Sequence, residues 1–193
     1  MTKMHIKWTA LLLLGAMISG CSFIMPPSKS KMMDAMSEES PIFEVQKLDL
    51  VDYKTMYTGL SKNRTQYNVT LNIEGVFTES FLDLNFRHQL YLIEYMPKNL
   101  RHLVEGDGFK KGDKVKVEGI KDAFWVLEDG RYGSIKGHGH TAPFLDSART
   151  MSRLSYSTGP GIGASREETE EWLQKLAQLE MELRKRRQER DSQ

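Results

Sequence analysis

The residues with the clearest potential for metal chemistry are two histidines separated by one glycine, His138 and His140. Alternate residues of a β-strand point to the same face, so this pair could offer two imidazole ligands to zinc or copper. A third ligand would have to come from another histidine or a carboxylate, and the candidates are His88, His102, Asp122, Asp129 and Asp146. Two histidines among glycines are more typical of a solvated loop, and we predict no bound metal or other cofactor.

Other catalytic patterns are missing from the sequence. The glycines at 159, 161 and 163 are not followed by the Lys-Ser or Lys-Thr of a phosphate-binding loop, and there is no Gly-x-Ser-x-Gly nucleophile motif. Four aromatic residues could form a platform for saccharides, as on some sugar-binding barrels, but core packing explains them more simply: Tyr91, Tyr95, Phe124 and Trp125. The sequence therefore predicts a protein that is not an enzyme.

The first 20 residues have the organisation of an export signal. Lys3 and Lys7 supply positive charge, and residues 8–18 supply an apolar run. This run is shorter than the roughly 20 residues that a membrane-spanning helix needs. Small residues follow it, immediately before Cys21, which is the only cysteine of the chain. A single cysteine in an exported protein cannot form an internal disulfide, so it needs another explanation.

The residues around that cysteine, Ile18-Ser19-Gly20-Cys21, resemble the lipobox of bacterial lipoproteins. The resemblance implies that the Cys21 thiol is thioether-linked to diacylglycerol, that the signal peptide 1–20 is removed, and that the new amino group is N-acylated, with palmitate as a typical chain. Several acyl chains attach a protein lastingly, whereas one chain binds only marginally. By analogy with this family, Ser22 implies the outer membrane, facing the periplasm. An ordinary cleaved signal followed by a buried cysteine is the alternative.

Charge and length limit the class of protein further. Removal of residues 1–20 takes away Lys3 and Lys7 and no acidic residue, so 27 basic side chains become 25 against 26 acidic ones. A nearly neutral chain argues against nucleic acid as a partner. The remaining length suffices for one domain with a core and extensions, but not comfortably for two.

Residues 21–40 are predicted to be a flexible tether that starts at the lipidated cysteine. Their serines, lysines, prolines and methionines show no period. About 20 residues of this kind span at most roughly 65 Å when extended. The domain could therefore float away from the membrane or lie against it. A partner-binding segment formed by Met32, Met33 and Met36 is the alternative.

Residues 41–140 are predicted to form a β domain. Apolar and polar residues alternate in 67–74, 114–119 and 123–128, as in half-buried strands, and Asp129-Gly130 predicts a type I′ hairpin turn. The run 112–119 resembles a strand of OB-fold domains. For 81–95 we predict strand rather than helix. The expected fold is mainly β: a small antiparallel β-barrel, OB-like, or a barrel-like sandwich, with one short internal helix at residues 98–104 and a C-terminal α-helix.

The last part of the chain is predicted to be a linker, 141–164, rich in Gly, Ser and Pro, followed by an amphipathic helix over 165–190. Ser165 and Glu168 have the spacing of a capping box. One tryptophan and three leucines recur at intervals of four, three and four residues, the spacing of a short coiled-coil seam, and basic residues follow them. The candidate partner-binding residues are Trp172, Leu176, Leu179, Leu183, Arg184 and Arg187.

Together these features predict a non-enzymatic lipoprotein, anchored in the membrane, that binds or assembles other proteins of the cell envelope. Secretion, conjugation and pilus machines use lipoproteins of this layout, so by analogy an envelope protein is the expected partner. The first alternative is a periplasmic metal-binding protein or enzyme using His138 and His140. The second is a binder of saccharides or the cell wall.

Overall fold

The computed structural model describes residues 26–58, 64–134, 142–154, 159–160 and 163–193. The regular elements follow in chain order: α1 (Lys29–Glu39), β1 (Phe43–Thr58), β2 (Arg64–Phe77), α2 (Phe86–Tyr95), β3 (Lys114–Val126), β4 (Tyr132–Ser134), α3 (Ala148–Leu154) and α4 (Arg166–Asp191). Short 3₁₀ helices occupy Phe81–Asp83, Lys98–Val104 and Pro143–Leu145. None of the described helices is long and apolar enough to cross a bilayer.

The four strands form one antiparallel sheet in the order β1-β2-β3-β4. The predicted antiparallel sheet with a C-terminal helix is confirmed. Within the described residues the sheet is open, with β1 and β4 at its edges, so closure into a barrel is not confirmed. About 45% of the described residues are helical and about 30% lie in strands, so a mainly β composition is not confirmed either.

Strand β2 shows why period-two patterns predict this sheet well. Val69, Leu71 and Ile73 alternate along it, and each is at most 4% exposed. The two strands predicted over 114–119 and 123–128 form one continuous strand, β3. Gly119 lies within it with a left-handed φ of 72°, and its N–H donates to Asn72 Oδ1 at 3.0 Å, so the strand continues through this position. A glycine tolerates this conformation without the usual side-chain clash.

The predicted hairpin after β3 is confirmed, but its turn differs from the predicted type. The Gly130 N–H donates to Leu127 O at 2.9 Å, which places Glu128 and Asp129 at the centre of the turn. Gly130 follows with a φ of 78°, and the Leu127 N–H donates to Arg131 O. This arrangement is a longer hairpin loop with one left-handed glycine instead of a two-residue turn.

Helix α1 lies within the segment that was predicted to be a flexible tether, and that prediction is wrong for Lys29–Glu39. Met32 and Met36 are fully buried, and they lie one helical turn apart on the face that packs against β1. The Lys31 ammonium donates to Gly130 O at 2.6 Å on the neighbouring hairpin. The unbranched methionine side chains fill the gap between helix and sheet, so the segment becomes part of the core.

The strand prediction for residues 81–95 is also wrong, because Phe81–Asp83 is a 3₁₀ helix and Phe86–Tyr95 is helix α2. The Asn85 side chain accepts a hydrogen bond from the His88 N–H at 3.0 Å and so caps α2. Tyr91 and Leu92 are fully buried. The predicted short helix after Pro97 is confirmed, and Lys98–Val104 is a 3₁₀ helix.

Part of the predicted linker 141–164 belongs to the core. Phe144 and Leu145 are fully buried, and Met151 of α3 is buried with them. The Ser40 hydroxyl donates to Phe144 O at 2.7 Å, which fixes this segment to the end of α1. Its glycine- and serine-rich composition suggested a loop, but three apolar residues suffice to bury it, since each one removes apolar surface from water.

Candidate interaction surface on the C-terminal helix

Helix α4 forms as the sequence predicts because its ends are stabilised locally. The Glu168 N–H donates to Ser165 Oγ at 3.2 Å, and Glu168 Oε2 accepts from the Ser165 N–H at 2.7 Å, which completes the capping box. Ion pairs between residues four apart follow along the surface, among them Lys175 with Glu171 and Arg184 with Glu180. Its 26 residues make a rod of about 39 Å.

Three arginines fix the last two turns of α4 to the domain. Arg187 Nη2 donates to Leu84 O at 3.0 Å, Arg190 Nη2 donates to Asp83 Oδ1 at 2.7 Å, and Arg186 donates to Gly106 O. The hydrogen bond from Arg190 is the main reason why the pKa of the Asp83 carboxyl lies below its usual value. The arginines at the basic end of the helix therefore find hydrogen-bond acceptors within their own chain. Arg187, which the sequence suggested for partner binding, contacts the domain instead.

The predicted apolar seam divides into two parts. Leu183 is 5% exposed and Leu179 packs against the core, so this part is docked on the domain. Trp172 and Leu176, nearer the helix start, are only partly buried, and Leu173 beside them is 52% exposed. Of the described contacts from α4 to the domain, the hydrogen bonds and ion pairs come from residues 186–190 alone.

We define the free seam as Trp172, Leu173 and Leu176. It lies on the part of α4 that carries no polar contact to the described domain. Charged residues flank it, and they form ion pairs within the helix, Arg166 with Glu170 and Lys175 with Glu171. An apolar strip of this kind, with a polar rim, is what a partner helix or groove buries when two proteins associate.

The remaining predicted site residues are placed apart from this surface or lie outside the described residues. Cys21, the predicted lipidation site, and the candidate metal ligands His138 and His140 lie outside the described residues. Among the candidate third ligands, Asp129 pairs with Arg131 at 2.7 Å, and the Tyr91 hydroxyl donates to Asp146. Within the described ranges no three His, Cys, Asp or Glu side chains gather into a metal-binding group.

The four aromatic residues considered as a saccharide platform do not share one surface. Tyr91 and Phe124 are fully buried, and the rings of Tyr91 and Tyr95 pack at 4.7 Å between centroids. Phe124 and Trp125 are consecutive residues of β3 and point to opposite faces of the sheet. These rings therefore contribute mainly to packing, as the simpler interpretation of the sequence expected.

Sequence reasoning missed a buried contact between α2 and α3. His88 is 9% exposed, and its Nε2 lies 3.4 Å from the Ser152 hydroxyl. Burial lowers the pKa of His88, while a hydrogen bond with the Ala148 backbone opposes this effect. The sequence feature that could have predicted this burial is the position of His88, one turn before the buried Leu92 on the same helix face.

This burial predicts a pH dependence of stability. The pKa of His88 is lower in the folded than in the unfolded chain, where it is about 6.5, so the unfolded state binds the proton preferentially. We expect the free energy of unfolding to be fully retained above about pH 6.5 and to fall as the pH drops below it. His88→Gln should reduce this loss in urea titrations between about pH 7.5 and 5. His102→Gln is the matched control, and equal pH profiles for both variants would contradict the assignment.

No protein-family model, curated protein or solved structure matches this chain. The functional proposal therefore depends on the chain's own residues.

Proposed function

We propose that this protein is a membrane-anchored bacterial lipoprotein that acts as a non-enzymatic binding or assembly module of the cell envelope. Its lipidated Cys21 attaches it to the outer membrane on the periplasmic side, and its partner is an envelope protein of a secretion, conjugation or pilus machine. The partner contacts the free seam of α4. The single observation that carries the proposal is the division of α4 into a docked end and an apolar strip that makes no polar contact to the described part of the domain.

Two features of α4 support this role. The clamp formed by Arg186, Arg187 and Arg190 fixes the helix direction, so the free seam is presented without the entropy cost of ordering a loose helix. A seam of barely two heptads forms only a marginal coiled coil alone, and it gains stability from an apolar partner surface. The helix is therefore preorganised to bind a partner through the free seam, as is typical of assembly proteins. This role needs no catalytic activity.

The proposal is tested by crosslinking and purification from intact envelopes with a single change in the free seam. Leu173→Glu places a charge where the partner should bury an apolar side chain, so recovery of the crosslinked partner should fall about tenfold or more, as expected when an anchor worth on the order of 2 kcal/mol is lost. Because Leu173 is 52% exposed, this change should leave folding intact.

The matched control is Gln178→Glu, which adds the same charge on the other side of α4, at another exposed position. We expect this variant to recover the same proteins as the unchanged chain. Recovery of one discrete set of proteins by the unchanged chain and by Leu173→Glu in equal amounts would contradict the role of the free seam. Failure of the unchanged chain to recover any specific protein would contradict the assembly role itself.

A further inference from the structure

The chain enters the domain at one end of the sheet. The Ser28 N–H, just before α1, donates to the Tyr132 hydroxyl at 3.2 Å. Tyr132 begins β4 and pairs with Val126, the last residue of β3. Strand β1 ends at Thr58 on the same side of the sheet, because β1 and β3 both run antiparallel to β2. We call this side, where β1 and β3 end, the entry end.

Three apolar side chains lie at the entry end, on the face of the sheet that does not carry the core. Met56 and Trp125 both pair with Gln66 in the strand register, so their side chains share this face. Gly133 pairs with Trp125, and the Leu127 side chain lies over it, 3.7 Å from where a β-carbon would stand. Met56 is 46% exposed, and Trp125 and Leu127 are partly exposed. We call Met56, Trp125 and Leu127 the tip patch.

The same face is charged farther from the entry end. Lys47 pairs with Glu74 at 3.4 Å, and Lys116 pairs with Glu118 at 2.9 Å. These side chains contact water and one another, as on an ordinary solvated sheet face. The tip patch therefore differs from the surface beside it, and it lies where the chain enters the domain.

The length of the chain before Ser28 brings the entry end close to the proposed anchor. Seven residues lead from Cys21 to Ser28, so an attached Cys21 lies at most roughly 25 Å from this end. Strand β2 runs over 14 residues, a length of about 45 Å, to the opposite end of the sheet. An anchored chain therefore holds the entry end, and not the opposite end, near the membrane.

We propose that the tip patch lies in the lipid interface of the membrane to which Cys21 attaches the chain. The inference rests on the proposed lipid anchor. Tryptophan is enriched at the level of the lipid headgroups, because its ring is apolar and its N–H can donate to a polar group. Met56 and Leu127 add apolar area on the same side. The exposed Lys54, one residue pair farther along the sheet, can lay its stem on the bilayer and keep its ammonium in water.

Burial of apolar surface, and not charge, drives this contact. Among the described residues near the tip patch, three basic and three acidic side chains balance one another: Lys54, Lys121, Arg131, Asp52, Glu128 and Asp129. A balanced surface gains no net attraction to anionic lipids. The contact should therefore form on neutral and on anionic bilayers alike.

The contact gives the anchored domain one orientation. Asp83 and Leu84, which accept hydrogen bonds from the arginines of α4, follow the end of β2 that lies opposite the entry end. When the tip patch rests on the bilayer, the docked end of α4 is therefore at the end of the sheet turned away from the membrane.

Quenching by brominated lipids tests whether Trp125 touches the bilayer. The full chain is purified from envelopes and carries Trp8→Phe throughout, so that the signal region contributes no fluorescence. Trp172→Phe then leaves Trp125 alone, and Trp125→Phe leaves Trp172 as the matched control. The vesicles contain phosphatidylcholine brominated in the upper part of its acyl chains, with or without phosphatidylglycerol. In both, Trp125 fluorescence should fall at least about twofold, and Trp172 fluorescence should change by less than about a tenth.

A second pair of variants separates contact from mere proximity. In the chain that retains only Trp125, Met56→Glu places a charge in the patch and should abolish most of the quenching. Met181→Glu, at a methionine of α4 that is 63% exposed, should leave the quenching unchanged. Both positions are exposed, so both variants should fold, which circular dichroism checks.

Flotation of the same vesicles reports on the anchor separately. A chain that does not float overturns the lipid anchor and this inference with it, whereas a floating chain with unquenched Trp125 overturns the tip contact alone. Equal quenching of Trp125 and Trp172, quenching that persists in Met56→Glu, or quenching that requires phosphatidylglycerol would also overturn the contact. The assembly role of the free seam is tested independently by Leu173→Glu.

Discussion

Cys21→Ser should move most of the protein from the membrane fraction to the soluble fraction. The reason is chemical, because a hydroxyl is a poor nucleophile and cannot receive the diacylglycerol that the lipobox resemblance implies for the thiol. Each buried methylene of an acyl chain contributes about 0.8 kcal/mol to membrane binding, so loss of all chains removes the anchor completely. Fractionation of envelopes after an alkaline wash, which strips proteins held only by protein contacts, measures the outcome.

The neighbouring residue offers a matched control for Cys21→Ser. By analogy with lipoproteins, Ser22→Asp should keep the lipid but shift the protein from the outer to the inner membrane in a sucrose gradient. A Cys21→Ser protein that stays in the washed membrane fraction would exclude lipid anchoring at this cysteine. Mass spectrometry of the N-terminal peptide then shows directly whether Cys21 carries acyl chains.

Phe144→Ala should lower the free energy of unfolding by about 3–5 kcal/mol, which is a large part of the 5–15 kcal/mol typical of a folded domain. Phe144 is fully buried, with its ring 4.7 Å from Phe43 and 5.4 Å from Phe77 between centroids. Truncation leaves a cavity where three aromatic rings meet. Guanidinium titration monitored by circular dichroism measures the loss.

Two further variants make this result interpretable. Phe144→Leu keeps most of the volume and should cost on the order of 1 kcal/mol, so it reports on the site even if the alanine variant fails to fold. Leu173→Ala removes an exposed apolar side chain and should change the free energy of unfolding by no more than about 0.5 kcal/mol. A loss at Phe144→Ala as small as that at Leu173→Ala would show that Pro143–Leu145 does not belong to the core.

The sequence predicts the elements whose signals are local. Alternation of Val69, Leu71 and Ile73 indicated β2, and Ser165 with Glu168 indicated the start of α4. Each of these patterns reports on residues next to each other in the chain. The open sheet and its order were not predictable in the same way, because they depend on pairings between distant residues.

The errors arise where a tertiary contact overrides composition. Met32 and Met36 looked like tether residues, since nothing in a polar segment shows that a sheet lies within reach to bury them. Residues 86–95 alternate like a strand, yet the cap at Asn85 and burial of Tyr91 favour a helix. In the candidate site, the seam was predicted as one surface, and the burial of Leu183 together with the arginine contacts to Leu84 and Asp83 divides it.

The position of α1 limits how far the domain could move away from a membrane to which Cys21 is attached. If Cys21 is fixed in the membrane and Lys29 is fixed in the domain, the chain between them extends at most roughly 25 Å instead of the 65 Å of the full predicted tether. The volume within reach scales with the cube of this distance, so it shrinks by a factor on the order of ten, and the local concentration of a membrane-bound partner rises accordingly. In an anchored protein, the occupancy of a weak contact with such a partner would rise by up to the same factor.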